Sequence, residues 1–586
     1  MILTTEQRAA VTCDSNTLVE ACPGSGKTRS IVAKILRCLD DVRNTPRKIA
    51  VITYTNAAVY EIESRLRVYG ATDDLDSCEI STIHSFCLNN ILHGFYWRTR
   101  DYRGGFKLLP PETEEYQAIV RRICGELGLL AIAREEFPQL NRGADGEPIL
   151  HPASLITRQA AHQFWRELAD IQAIDFATVI YLTNRLLEHS PSLAHALSCR
   201  FRWILVDEFQ DTTELQIEIL KKIYDASHSN FFLVGDPHQS IFGFAGARPK
   251  LVSEFSEYAN ARTDFQLSEN WRSNPQIVAH AELLRPRAVP MRSAGAIAAD
   301  QREPLYIHRA NLFEALEDFF LPALQELDIA YGNAAILAPS WFALFPIGRR
   351  LRNYGIPIIG PGARPYRGRQ LFARLAEYIC AYIERRDPTL IRNISRELHR
   401  IVLEVSRINR QQLFGYSGRV TIFKLLAIGE ALRNQGDSAE RWLVSAGHEF
   451  GQLLVADQVL PKTAENLLSE SAAAMCDQMR ANRDVDLANM TVSDLGLFAA
   501  TGKSMHLLTM HAAKGLEFEA VALVSLHDGQ IPNFRANSAE DIDEARRLMY
   551  VAITRAKRLL LYITDQERPR NIPSRFLGPE GLRLVN

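Results

Sequence analysis

The sequence predicts an α/β protein, with parallel sheets flanked by helices and interrupted by mainly helical insertions. Three observations predict it. Short β-branched runs such as Ile49-Ala-Val-Ile-Thr53 alternate with helix-like stretches as far as about Phe86, the rhythm of a parallel α/β unit. Gly24 and Gly26 stand between a short apolar strand and a helix opening at Lys27. Residues from Cys87 to about Ile174, and again near 387–495, have mainly helical spacing.

The run Val19-Glu-Ala-Cys-Pro-Gly-Ser-Gly-Lys-Thr28 fits a phosphate-binding loop. Glycines let the backbone wrap a polyphosphate with several N–H groups pointing inward. Lys27 is placed for the β/γ-phosphates and the Thr28 hydroxyl for Mg²⁺. The positive end of the following helix adds to the site. Cys22 lies inside the loop, where a small-residue role is expected.

The stretch Arg202-Trp-Ile-Leu-Val-Asp-Glu-Phe-Gln-Asp211 is an apolar strand ending in carboxylates. Asp207 is expected to hold Mg²⁺ through its water shell, and Glu208 to accept a proton from the attacking water or orient it. A further strand, Phe231-Phe-Leu-Val-Gly-Asp236, is followed by Gln239, placed to sense a γ-phosphate. Near the end of the chain, Asp543 to Lys557 reads as a helix with Arg555 in its later turns. Arg272 and Arg555 are candidates to stabilise charge on a transferring phosphoryl group. The Arg-, Ala- and Pro-rich segment Arg285 to Pro304 reads as an exposed loop.

At 586 residues, 47% hydrophobic and 23% charged, the chain has the composition of an ordinary multidomain globular protein. The N-terminus lacks a signal-peptide pattern and no apolar run approaches a membrane span, so no membrane and a cytoplasmic location are expected. Nine scattered cysteines without a C-x-x-C pair argue against a zinc ribbon, an iron–sulfur cluster or a disulfide framework. A net charge of −2 announces no nucleic-acid binder, though a motor needs only a local groove.

In order, Leu3-Thr-Thr-Glu-Gln7, the phosphate loop, Ile52-Thr-Tyr-Thr-Asn-Ala-Ala58, Ser81-Thr-Ile-His-Ser-Phe86, Val206 to Thr212, Val234 to Phe244, Leu267 to Ser273, His511 to Phe518, Tyr550 to Ala556 and Pro573 to Leu577 resemble superfamily 1 helicases of the UvrD/Rep type. The resemblance implies two RecA-like P-loop motor domains with ATP in the cleft between them, each interrupted by a helical insertion. It also implies movement along single-stranded or partly duplex DNA with 3′–5′ polarity. Carried over residue by residue, it makes Gln7 the adenine reader, and Gly24, Ser25, Gly26, Lys27, Thr28 and Arg29 the phosphate and Mg²⁺ loop. Asp207 and Glu208 become the Mg²⁺ holder and base, Gln239 the γ-phosphate sensor, and Arg272 and Arg555 arginine fingers. Gly515 and Glu517 fall where the family meets phosphate and ribose. Trp271 replaces the usual tyrosine stacking on adenine, a mild change. Thr55, Asn56, Thr82, His84 and Phe86 match strand-facing motifs, and Phe242 and Phe244 match positions that stack on DNA bases.

The implied division is a first motor at 1–86 and 175–270 around an insertion at 87–174. A second motor at 271–386 and 496–586 surrounds a reduced insertion at 387–495. Three departures remove positive charge. Phe244-Ala-Gly-Ala247 stands for Trp-Arg-Gly-Ala, Ala57 stands for a lysine, and no arginine lies near Ala338-Pro-Ser340, where Arg349 or Arg350 on the following helix is the available substitute. In compact length and short second insertion the chain also resembles the helicase-like subunit of Gabija-type phage-defence systems. That resemblance implies a partner nuclease of the ATP-sensing, overcoming-lysogenisation type.

Overall fold

A computed structural model describes residues 1–69, 75–99, 101–111, 113–150, 154–243, 246–360, 366, 370–405, 416–481, 487–488, 490–499, 503–566, 571–579 and 581–584. The chain forms two compact units, Met1–Arg302 with Pro532–Thr554, and Glu303–Ile531 with Arg555–Asn586.

The first unit is built on strands β1 (Thr17–Ala21), β2 (Lys48–Thr53), β3 (Cys78–Thr82), β4 (Phe201–Val206), β5 (Asn230–Gly235) and β6 (Arg262–Leu267). They pair in the order β6-β1-β5-β4-β2-β3, parallel throughout. Side chains alternate between faces of a strand, and here both faces are covered. Ala50, Ile52, Ile204, Val206, Phe231 and Leu233 enter one core. Ile49, Val51, Trp203, Leu205, Phe232 and Val234 enter the other. Continuous apolar strands of this kind signal a sheet buried on both sides.

Between β3 and β4 the helices Glu114–Glu126 and Arg158–Asp170 pack around Tyr116, Phe137, Phe164 and Trp165, a small core of their own. The expected loop at 141–148 contains a short antiparallel pairing of Asn141–Arg142 with Pro148–Ile149. It closes because Gly143 N–H donates to Glu147 O.

The first unit continues beyond residue 270 to Arg302. Glu269–Asn270 pairs with Arg292–Ser293, and Asn274 Nδ2 donates to Arg302 O. Helix Ala539–Ile553 also belongs to this unit, where Arg547 Nε donates to Ser240 O and Gly243 N–H donates to Glu544. That helix stops at Ile553 with Thr554 as its cap, so Arg555 is not in its later turns. Arg555 immediately precedes a strand of the second unit, whose extended backbone requires the helix to end first.

The second unit holds β7 (Leu305–Arg309), β8 (Ala334–Ala338), β9 (Ile358–Ile359), β10 (Met505–Thr509), β11 (Phe518–Leu523) and β12 (Ala556–Asp565). Their order is β7-β12-β11-β8-β10-β9, again all parallel. Between β9 and β10 lie helices Ala373–Arg385, Pro388–Val405, Tyr416–Gln435, Ala439–Ala456, Leu467–Ala481 and Val492–Leu497. They enclose a separate core around Phe372, Ile379, Trp442 and Phe450. The two parallel-sheet domains with helical insertions expected from the sequence are therefore present.

Trp442 is 2% exposed and its indole Nε1 donates to Gly429 O at 2.9 Å. Replacing it by alanine removes both the ring and the bond, at a cost of about 3–5 kcal/mol. Urea unfolding of Trp442→Ala should show that loss. A midpoint equal to the parent's would mean that this ring does not anchor the insertion.

Candidate active site

At the carboxyl end of β1 the chain turns sharply to start helix Lys27–Val42. The turn needs left-handed backbone at Gly24 (φ +70°) and Gly26 (φ +82°), a region that glycine enters without penalty. Space forbids a side chain as well. A Cβ on Gly24 would lie 2.6 Å from Arg272 Cβ, and one on Gly26 2.7 Å from Gln7 Nε2. Both ends of the Gln7 amide are engaged: its Oε1 accepts from Thr4 N–H and its Nε2 donates to Ser25 O at 2.8 Å. Ser25 Oγ donates to Cys22 O, and Trp271 N–H donates to Gly24 O. Burial pushes the Cys22 thiol up to about 12, consistent with a packing role. Thr28 and the more exposed Arg29 occupy the first turn of the helix.

Asp207 follows β4 and is held by its N–H to Ile52 O. Burial first, and the neighbouring Glu208 charge second, push its carboxyl up to about 7, with Lys27 pulling the other way. Glu208 takes left-handed backbone (φ +49°), a strained choice for a non-glycine residue. Its carboxylate lies 3.8 Å from Lys27 Nζ and accepts from Gln210 Nε2. The phosphate-loop lysine and the two carboxylates thus come together from segments about 180 residues apart.

Gln239, 3% exposed, donates to Asp236 Oδ2 at 2.6 Å. Asp236 is fully buried and ion-paired with Arg287, which also donates to the Tyr550 hydroxyl. Burial alone would raise the Asp236 carboxyl; the Arg287 charge, helped by Lys27, outweighs burial and lowers it. Arg287 is 7% exposed in its side chain, and Arg285 bonds His238 and Asp543. The expected exposed loop is therefore corrected at its start, because Arg287 neutralises the buried Asp236 and Arg285 is held by His238 and the half-buried Asp543.

Asn270 Oδ1 accepts from the N–H groups of Arg272 and Ser273, and Arg272 Nη1 donates to Thr554 O. Asn270 Nδ2, buried beside the loop, has no partner among the described residues. Trp271 is half exposed, with its ring against Gly295.

In the second unit Gly515 has φ +84° and Glu517 pairs with Lys557 at 3.1 Å. Arg555 is 1% exposed and donates to Leu516 O.

The strand-facing candidates divide. Thr55 caps helix Asn56–Val68, of which Asn56 is the exposed first residue, and Thr82 caps helix Ile83–Cys87. His84 meets Phe176 edge-on, and burial lowers its imidazole to about 4. Phe86 is corrected: it is wholly buried against Phe201 in the core under the sheet, so no strand can reach it. Phe242 stacks on Tyr54 at 5.6 Å and 14°, and Tyr54 is 38% exposed. Phe244 lies outside the described residues.

Arg287, Tyr550, Gln210, Asn270 and Tyr54 carry no role in the sequence reading. For Tyr54 a signal existed, an aromatic residue directly before Thr55. For Arg287 none did, since its partners are 51 and 263 residues away.

A parallel-sheet protein with a phosphate loop, paired carboxylates and a buried glutamine after the next strand belongs to the class of P-loop nucleotide-binding proteins. Residues 3–260 match the family model of the UvrD/REP helicase N-terminal domain, and residues 466–567 that of the UvrD-like helicase C-terminal domain. The chain has the domain architecture of a UvrD/Rep-type superfamily 1 helicase. It is 27% identical to the ATP-dependent DNA helicase PcrA of Staphylococcus aureus, covering 99% of this chain and 86% of that one. It is 26% identical to the PcrA helicase of Staphylococcus epidermidis, covering 99% and 87%.

Removing Arg287 would leave Asp236 buried and unpaired, which costs about 3–5 kcal/mol. Arg287→Ala should therefore lower the melting temperature well below that of the parent. With its lowered folded value, Asp236 contributes stability at neutral pH that is lost as pH falls through that value. Unchanged melting of Arg287→Ala at pH 7 would show that the pair does not hold the site.

Proposed function

We propose that the chain is an ATP-driven translocase and helicase on single-stranded DNA, moving 3′ to 5′. The observation that carries the reading is the convergence of Lys27, Asp207, Glu208 and Gln239 at the carboxyl edge of the first sheet. Crevices at that edge are where ligands bind in open α/β sheets. Polarity and substrate rest on the family resemblance and on the DNA helicases matched over most of their own length.

The donor set fits a divalent cation. A buried carboxylate whose proton affinity is raised by burial and a neighbouring charge, with a hydroxyl at Thr28, is the oxygen chemistry that Mg²⁺ takes. Thr28 and Asp207 would hold Mg²⁺, which supplies charge neutralisation on the phosphates when bound. Lys27 neutralises the β/γ-phosphates, and the N–H groups of the loop point at them. Glu208 takes a proton from the water attacking the γ-phosphorus as the bond to the β-phosphate oxygen breaks. Gln239 orients that water. Arg272 stabilises the negative charge that develops, the part that the family resemblance also gives to Arg555. Asp236 and Arg287 link Gln239 to Tyr550, so a shift at the sensor is felt by helix Ala539–Ile553.

For DNA, the stacked Tyr54–Phe242 pair is the proposed base platform, with Thr55, Asn56, Thr82 and His84 beside the strand. In the second unit Arg350 lines a cavity of about 240 Å³ together with Ser340, Gln530 and Asn571. We assign Arg350 the positive contact that the Ala338–Ser340 segment lacks. The phage-defence resemblance rests on chain length and a short second insertion, and no structural contact adds to it. The motor reading is the stronger.

Lys27→Ala should abolish ATP hydrolysis, and Glu208→Gln should bind ATP while kcat falls by about 10²–10⁴-fold. Near-parental turnover in either would remove the assigned chemistry.

Stacking contributes about 1–3 kcal/mol per base. Tyr54→Ala and Phe242→Ala should therefore each weaken single-strand binding by at least about fivefold, with ATP affinity unchanged. Arg350→Ala should lower DNA-stimulated hydrolysis more than basal hydrolysis. DNA binding that is indifferent to all three substitutions would place the strand elsewhere.

A further inference from the structure

His195, Cys199 and His228 form a cluster outside everything assigned above, with one ligand atom from each lying within 4.8 Å of the other two. His195 and Cys199 are four residues apart on helix Pro191–Arg200. That spacing puts them on one face, one turn apart. His228 comes from the turn that leads into β5. Cys199 Sγ lies 3.6 Å from His195 Nε2, and the two imidazoles meet edge-on at 4.9 Å.

The backbone around the cluster is fixed before any ligand arrives. His228 N–H donates to Ser198 Oγ at 2.9 Å, and Arg47 Nη2 donates to His228 O at 2.5 Å. Ser229 Oγ donates to Phe201 O and Ser198 O. The turn carrying His228 is thus tied to the residue preceding Cys199, and only side-chain rotation is left to close the site. Among the described residues Cys199 is the one exposed cysteine.

We propose that His195, Cys199 and His228 bind a single Zn²⁺ ion, with water in the fourth position. Two imidazoles and one thiolate are a donor set for zinc rather than for magnesium or calcium, which take oxygen. Zinc with three protein ligands sits about 2.0–2.3 Å from each and is tetrahedral. Binding drives the thiol proton of Cys199 into solvent.

The ion would join the junction before β4 to the junction before β5. Those are the amino ends of the strands, the opposite edge of the sheet from Asp207 and Asp236. Its role is a structural clamp on the strands that carry both carboxylates, not a part in hydrolysis.

Co²⁺ is the spectroscopic probe. The full chain, stripped by chelator and titrated with Co²⁺ in excess Mg²⁺, should take up one equivalent. It should show the thiolate-to-cobalt band in the near ultraviolet and the intense visible bands of a four-coordinate ion, and Zn²⁺ should displace both. Cys199→Ser should lose the near-ultraviolet band, and His195→Gln and His228→Gln should each weaken Co²⁺ binding at least tenfold. All three positions are exposed, so folding should survive. No thiolate band in the parent chain, or a band unchanged in Cys199→Ser, or affinity unchanged in both histidine variants, would overturn the proposal.

Discussion

The architecture of the first unit depends on burying charge at one edge of one sheet. Asp207 and Asp236 are 7% and 0% exposed, at the carboxyl ends of neighbouring strands. Isolated buried carboxylates are costly, and proteins neutralise or pair them. Here the two take different routes. Asp236 is ionised by Arg287, its value lowered despite burial. At Asp207 the Lys27 charge and the Glu208 N–H lower the value, but burial and the Glu208 charge outweigh them and it rises. One carboxylate is held ionised by a buried arginine and the other keeps a raised affinity for a proton. That asymmetry separates a brace from the proposed cation site.

The brace extends further than the motif that contains it. Gln239, Asp236, Arg287 and Tyr550 form a continuous chain of hydrogen bonds and ion pairs. Arg285 forms a second chain with Asp543 and Arg547 of the same helix, Ala539–Ile553. The helix therefore belongs with the first sheet by its polar contacts, although the strand that follows it, β12, belongs to the second. The two helical insertions, by contrast, are held by apolar cores of their own around Trp165 and Trp442. Separate cores let an insertion vary in length without disturbing the sheet that it interrupts.

What the sequence made legible was local. The Gly24-Ser-Gly-Lys27 turn announces itself because left-handed backbone and a helix start are both written in adjacent residues. The strands were legible because a sheet covered on both faces leaves unbroken apolar runs, and the observed Lys48–Thr53, Phe201–Val206 and Ala334–Ala338 fall where those runs lie. Sequence reasoning failed where the partner was remote or the residue type ambiguous. Arg287 looks like one arginine in a loop until Asp236 and Tyr550 are seen beside it. Phe86 has the same side chain whether it packs a core or a base, and only the inward turn of helix Ile83–Cys87 decides for the core. Arg555 seemed to continue a helix because nothing in Ile553-Thr-Arg555 breaks one; the start of β12 imposes the stop.

The central claim is that Lys27, Asp207, Glu208 and Gln239 surround one transferring phosphoryl group. A crystal structure of the chain with Mg²⁺, ADP and aluminium fluoride tests it most directly. The account predicts the fluoride complex between Lys27 and Gln239, with the metal on Thr28 and Asp207 and a water held by Glu208. Nucleotide bound with its phosphates away from the Gly24–Thr28 turn, or a metal that ignores Asp207, would contradict it.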